Sequence, residues 1–286
     1  MQNGYVSLVI LFVLFFLPPT YASNGTGVRG ARAAALGNAS ATLTDVWAVG
    51  NNIAGLGQLA QPAVGFYAEN RYLSTAFNTV ALVAAMPIGT SNTTPEKPPR
   101  HGVVGFEAQR FGDKLYAEQR LGVGYGYRGS QVSVGGRVDV LQVSIQGLGS
   151  RRVVAASLGG QVELIPRRLV FGGYLYNLNQ ARLTAYEDER VPTVLKAGLS
   201  YRPTDKLRLS VEAEKDVEQA ADFKAGLEYQ LLEVLALRAG FASLTEQTTA
   251  GVGFRARQLQ IDYAAAWQTM LGLSQHVGVS WQWAKK

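Results

Sequence analysis

The chain has 286 residues, 47% of them hydrophobic and 17% charged, with 32 Gly, no Cys, two His and a net charge of +6. Without Cys there is no disulfide framework, zinc finger, iron–sulfur cluster, thiol nucleophile or lipobox cysteine, and two His cannot build a three-His metal site. The apolar content excludes disorder, and many Gly and Tyr with few charges favour an all-β chain over a helical one.

Residues 1–22 read as an export segment. Val6 to Leu17 is an apolar run broken only by Ser7, Pro18-Pro19 ends it, and Thr20-Tyr21-Ala22 places small residues before a cut after Ala22. The run is shorter than the ~20 residues of a spanning helix. The first five residues contain no Lys or Arg, which departs from the usual pattern. No later segment reads as a membrane helix. An exported chain without spanning helices is either soluble or a closed β-barrel in a membrane.

Residues 23–61 do not alternate. Small residues dominate, with a short helix expected around Ala31 to Leu36 and ended by Gly37. Thr44 or Asp45 is placed to cap a further turn before Val46-Trp47.

From about residue 62 to 283 one parity is apolar and the other small or polar, the signature of strands with two unlike faces. Leu207, Leu209, Val211 and Ala213 alternate with Arg208, Ser210, Glu212 and Glu214. Phe223, Ala225, Leu227 and Tyr229 alternate with Lys224, Gly226, Glu228 and Gln230. Fourteen segments repeat the pattern, near 62–70, 75–87, 102–112, 115–128, 131–145, 153–165, 168–178, 192–202, 206–216, 221–232, 234–243, 247–256, 258–268 and 273–283. Each is long enough for the ~9–11 residues a strand needs to cross hydrocarbon, and an even count suits a closed bacterial barrel. Even-to-odd connections such as Gly129-Ser130 and Pro166-Arg167 are tight, as periplasmic turns are; 88–101 is a Pro-rich exception. Segments 75–87 and 168–178 alternate poorly, which would suit a local opening in the wall. A soluble sandwich would expose a Lys- and Glu-rich parity. Here the polar parity is Gly, Ser, Gln and sparse charge, and Tyr127, Tyr201, Tyr229, Trp267, Trp281 and Trp283 sit near strand ends on the apolar parity, like membrane girdles. The expected fold is therefore all-β: a closed antiparallel transmembrane barrel of about fourteen strands.

Gly30 and Arg32, then Leu36-Gly37-Asn38-Ala39, Asp45 and Asn52-Ile53-Ala54-Gly55-Leu56 follow one another in the order and spacing of a known motif set, with Ile53 in place of the usual Pro. The stretches 101–128 and 235–281 fit as well. On these motifs the sequence resembles the PorV/PorQ branch of FadL-like outer-membrane barrels. The resemblance implies a short N-terminal plug, residues 23–61, folded inside a barrel of residues 62–286, with Arg32, Gly37, Asp45 and Asn52 as its motif residues. It implies no enzymatic activity and no cofactor. Close relatives serve type IX protein secretion in Bacteroidetes, with secretion-system proteins or exported cargo as partners; more distant ones pass small hydrophobic compounds through the wall. An outer-membrane location with lipid around the barrel follows in either case.

The inward parity of the C-terminal strands carries a ladder of charge: Lys196, Arg208, Glu212, Lys224, Glu228, Arg238, Arg255 and Asp262. Facing lipid, each Lys or Arg would cost about 2–4 kcal/mol at mid-depth. Facing inward, opposite signs on neighbouring strands can pair. The ladder reads as bracing around the plug or as a polar conduit or ligand site. Asp45 and Asn52 are candidate partners for its basic groups.

Other signals are weaker. Gly124-Tyr125-Gly126-Tyr127-Arg128-Gly129 matches a dinucleotide-binding pattern, but it lies within a strand and no helix follows. His276 and Ser280 share a strand face about 13 Å apart, too far for direct proton transfer. The basic residues are scattered, so nucleic acid is not expected as a partner.

Overall fold

The computed structural model describes residues 27–89, 101–183 and 191–283. The export segment and most of the Pro-rich 88–101 loop lie outside these described residues. Period-2 patterning produces β1 (Ala63–Asn70), β2 (Asn78–Pro87), β3 (Val103–Gly112), β4 (Tyr116–Arg128) and β5 (Val132–Ile145). After them come β6 (Gly149–Ile165), β7 (Leu169–Tyr176), β8 (Val194–Thr204), β9 (Leu207–Asp216) and β10 (Asp222–Leu232). The last four are β11 (Leu235–Ala242), β12 (Gln247–Ala256), β13 (Leu259–Gln268) and β14 (Gly272–Gln282). Each strand pairs antiparallel with its sequence neighbours, and β1 closes on β14 with Ala63 opposite Gln282. The fourteen-strand antiparallel barrel expected from the alternation is what the chain forms.

Burial is inverted relative to a water-soluble protein. Leu82 and Trp267 are each 57% exposed, whereas Glu107 and Asp139 are fully buried. The outward parity (Phe66, Val123, Val138, Val154, Val211, Leu227, Ile261) forms an apolar belt that only a hydrocarbon surround would cover. Tyr127, Tyr201, Tyr229, Trp281 and Trp283 border it at the end of the tight turns, and Phe223, Phe241 and Trp267 at the other. No helix among the described residues is long and apolar enough to cross a membrane.

Two segments gave poor alternation for a reason unrelated to the wall. On β2 the inward Ala81, Val83 and Ala85 are apolar because they share a buried cluster with Trp47 and Leu59. On β7 the inward Tyr174 and Tyr176 are buried in the same cluster. β2 pairs on both sides, and β7 pairs with β8 over its length and with β6 over Leu169–Leu175, so no opening lies within either strand.

Residues 27–61 run inside the barrel. Helix α1 (Ala31–Ala35) lies along the inner faces of β12 and β13, and Gly37 ends it with φ +64. The Asn38 N–H reaches back to the Ala33 carbonyl at 3.1 Å, a Schellman closure that a left-handed Gly favours. The chain here presses against the backbone of β11, and a Cβ at Gly240 would strike Gly37 and Leu36. Helix α2 (Ala48–Asn51) follows a turn in which Asp45 Oδ1 accepts the Trp47 N–H at 3.0 Å. A 3-10 turn over Ile53–Gln58 then rests on β4, β5 and β6. Its seat is the glycine tract that mimics a nucleotide motif: inward-facing Gly124 and Gly126 leave room for Ile53 and the Gly57 backbone.

Gly240→Val should therefore lower barrel stability by about 1–3 kcal/mol through overpacking. The readout is a lower urea midpoint of the strand circular-dichroism signal in detergent micelles. Ala239→Val, on the outward parity, should leave that midpoint unchanged.

Candidate functional site

Inward-facing charges join the inner segment to the wall in three clusters. In the first, the Arg32 guanidinium grips Glu228 with two bonds of 2.6 and 2.7 Å and reaches Asp45 at 3.2 Å. Arg238 completes it, donating to Glu228 at 2.7 Å and to Asp262 at 2.7 Å. Burial disfavours the Arg32 charge, but Glu228 and Asp45 outweigh it and raise its pKa above the ordinary value. Burial pushes the Asp45 carboxyl up, and Arg32 pulls it part of the way back.

In the second cluster Glu212 Oε2 accepts the Ser40 and Ala41 backbone N–H groups at 2.8 and 2.7 Å. Beside it, Lys224 and Lys196 both contact Glu214, at 2.5 and 3.1 Å. The third cluster lies on β3 and β5. Glu107 pairs with Arg29 of the inner segment at 3.2 Å and with Arg137 at 2.5 Å, and Arg137 also holds Asp139 and the Val49 carbonyl. The Asn51 amide brackets Arg29, accepting from its N–H and donating to its carbonyl, both at 2.8 Å. Asn52, fully buried, donates to Ala41 at 2.7 Å and accepts the Ala54 N–H at 3.2 Å. Thr249 accepts the Gly37 N–H at 3.0 Å and donates to Ala35 at 2.9 Å.

The structure thus brings together seven residues of the sequence-read ladder: Lys196, Arg208, Glu212, Lys224, Glu228, Arg238 and Asp262, all inward and most of them buried. Arg255 keeps the inward parity but stands exposed at the tight-turn rim, donating to Gln260 at 2.8 Å, which in turn donates to the ladder's Asp262 at 2.8 Å. Arg32, Asp45 and Asn52 point to the partners given above, and Gly37 ends α1. Sequence reasoning missed Glu107, Arg137, Asp139 and Arg29. The signal was available: Glu107 shares its parity with Val103, Gly105 and Gln109, opposite the lipid-facing Val104 and Phe106.

At the end away from the tight turns, a cavity of about 210 Å³ opens above the inner segment. Gly27, Val28 and Asn38 contribute to it from below; Glu69, Arg71, Tyr72, Gln268 and His276 contribute from the wall. Tyr67 Oη sits 2.8 Å from His276 Nδ1, and Arg71 clamps Glu69 at 2.6 Å. This cavity can hold a small molecule by its polar groups, and the inner segment blocks the way beyond it.

No protein-family model and no curated protein sequence matches the chain. Solved structures do match in fold. The TodX monoaromatic hydrocarbon channel deltaS2 mutant is similar with a TM-score of 0.66 and 11% identity, over 88% of this chain and 96% of that one. The Pseudomonas putida toluene transporter TodX gives 0.58 and 14%, over 88% and 96%. A Pseudomonas aeruginosa FadL homologue gives 0.59 and 13%, over 94% and 99%. The chain therefore has the fold of FadL-like barrels.

Glu228→Gln should cost about 2–4 kcal/mol, because it removes the carboxylate shared by two buried guanidinium groups and leaves Arg32 with Asp45 alone and Arg238 with Asp262 alone. The readout is the urea midpoint, together with faster amide exchange at residues 31–45. Arg255→Gln should change neither.

Proposed function

We propose that the protein is a non-enzymatic outer-membrane barrel that admits small hydrophobic compounds bearing a polar group. The export segment, cleaved near Ala22, would deliver it to the envelope, and residues 23–61 would serve as its plug. The observation that carries this reading is the joint presence of a FadL-like fold, an apolar belt, and a polar cavity floored by the N-terminal segment. TodX is described as a monoaromatic hydrocarbon channel and a toluene transporter, which supports the compound class. A secretion role of the PorV/PorQ kind rests on sequence motifs alone, at 30–56, 101–128 and 235–281, whereas the solved structures of similar fold are channels and transporters, so passage is preferred.

The bore is filled and the strand ladder is continuous, so passage requires the plug or the wall to move. Strand pairing on one side of β6 stops short, where its Gly149–Ser157 stretch extends past the end of β7. There Asn179 stands in for a strand: its side chain accepts the Ala156 N–H at 2.9 Å and donates to the Val154 carbonyl at 2.9 Å.

Cells carrying the protein should take up the fluorescent apolar probe N-phenyl-1-naphthylamine several-fold faster than cells without it. Planar bilayers holding the intact barrel should pass little ion current, and deletion of 27–58 should open a steady conductance. Unchanged uptake, or a freely conducting intact barrel, would remove this reading. Co-purification with exported proteins, their sorting tails uncleaved when the protein is lost, would put the secretion role in its place. Asn179→Ala should raise amide exchange at Ala156 about tenfold, the effect of losing roughly 1.4 kcal/mol of local protection.

A further inference from the structure

The outer wall carries a feature that passage does not use. At the cavity end, the strand register sets Arg110, Gln119, Gln142 and Arg152 directly side by side across β3, β4, β5 and β6. All four have the lipid-facing parity: one step toward the tight turns, the next row is Ala108, Leu121, Val140 and Val154. Arg110, Gln119 and Arg152 are exposed and Gln142 is half-buried. The row therefore marks the upper border of the belt on this side. The opposite side is bordered instead by Phe223, Phe241 and Trp267.

The guanidinium groups are oriented rather than loose. Arg152 donates through Nε to Gln142 Oε1 at 2.6 Å, and Gln142 donates in turn to Ser144 at 3.2 Å. Arg110 reaches the Asp113 carbonyl at 3.4 Å. The nearby carboxylates are engaged elsewhere: Asp113 accepts the Leu115 and Tyr116 N–H groups at 2.8 and 3.1 Å, and Glu118, on the inward parity, accepts from Tyr116 at 2.8 Å. Lys114 and Arg151 are exposed at the same end and add positive charge. Three strand spacings separate Arg110 from Arg152, roughly 14 Å.

We infer that this row binds the phosphate groups of an acylated, bis-phosphorylated glycolipid in the outer leaflet. The inference rests on the outer-membrane reading above. Guanidinium groups recognise phosphate by paired N–H donors. The two amides between them suit the hydroxyl and amide groups of a sugar bridge, and the apolar rows beneath suit its acyl chains. A disaccharide phosphorylated at both ends spans the gap, whereas a phospholipid offers one phosphate.

The test uses the purified full barrel in a non-ionic detergent, with retention read by native mass spectrometry. Bis-phosphorylated lipid A should remain bound, and the Arg110→Gln/Arg152→Gln double variant should bind it about 30-fold more weakly, the loss expected for two cationic contacts at a membrane surface. Arg255→Gln, at the opposite rim, should bind as wild type. Equal binding by the double variant would overturn the site. So would equal competition by phosphatidylglycerol, monophosphorylated lipid A or inorganic phosphate. A heat-dependent gel shift, retained by every variant, shows that the barrel is folded. Its loss in the wild type would instead overturn the outer-membrane reading.

Discussion

The structure depends on opposite charges meeting where water is scarce. Arg29 and Arg32 enter the bore on a segment with no other stabilising charge of its own before Asp45, and they find Glu107 and Glu228 on opposite parts of the wall. Each wall carboxylate also holds a wall arginine, Arg137 or Arg238. Without the inner segment each of these wall carboxylates would lose a cation, and without the wall carboxylates Arg29 would be buried with no carboxylate and Arg32 with Asp45 alone. Apolar contacts of Leu36, Leu43, Ile53 and Leu56 add burial, but the charge pairing sets which face of the segment meets which strand.

Much of the barrel could be read from the sequence, because its two faces meet different media. All fourteen strands were visible in the alternation, and most boundaries fell within a few residues. The exceptions have physical reasons. β6 begins at Gly149 rather than 153 because its first residues rise above the apolar belt, where pairing continues but Ser150 and Arg152 replace apolar side chains. β2 and β7 lost their contrast because their inward faces pack against an apolar cluster instead of water or charge.

The interior was legible only in part. Alternation tells which side chains point inward, but not whether the bore at that height is filled. Arg255 and Glu228 have the same parity, yet one stands at an open rim and the other is clamped by two arginines. The Glu107–Arg137–Asp139 cluster is held together by strand register, and a single sequence does not print register. The glycine tract at 124–126 shows the same limit: its letters suggest a nucleotide site, and its position makes it a seat for Ile53.

Arg29 and Arg32 are also trypsin sites, and they offer the most direct test of the claim that the segment is locked in the bore. Folded protein in detergent, digested with trypsin and mapped by mass spectrometry, should be cut at the exposed Arg151-Arg152 hairpin while Arg29 and Arg32 stay intact until the barrel is heat-unfolded. Cleavage at Arg29 and Arg32 as fast as at Arg151-Arg152, with the barrel still folded, would contradict it.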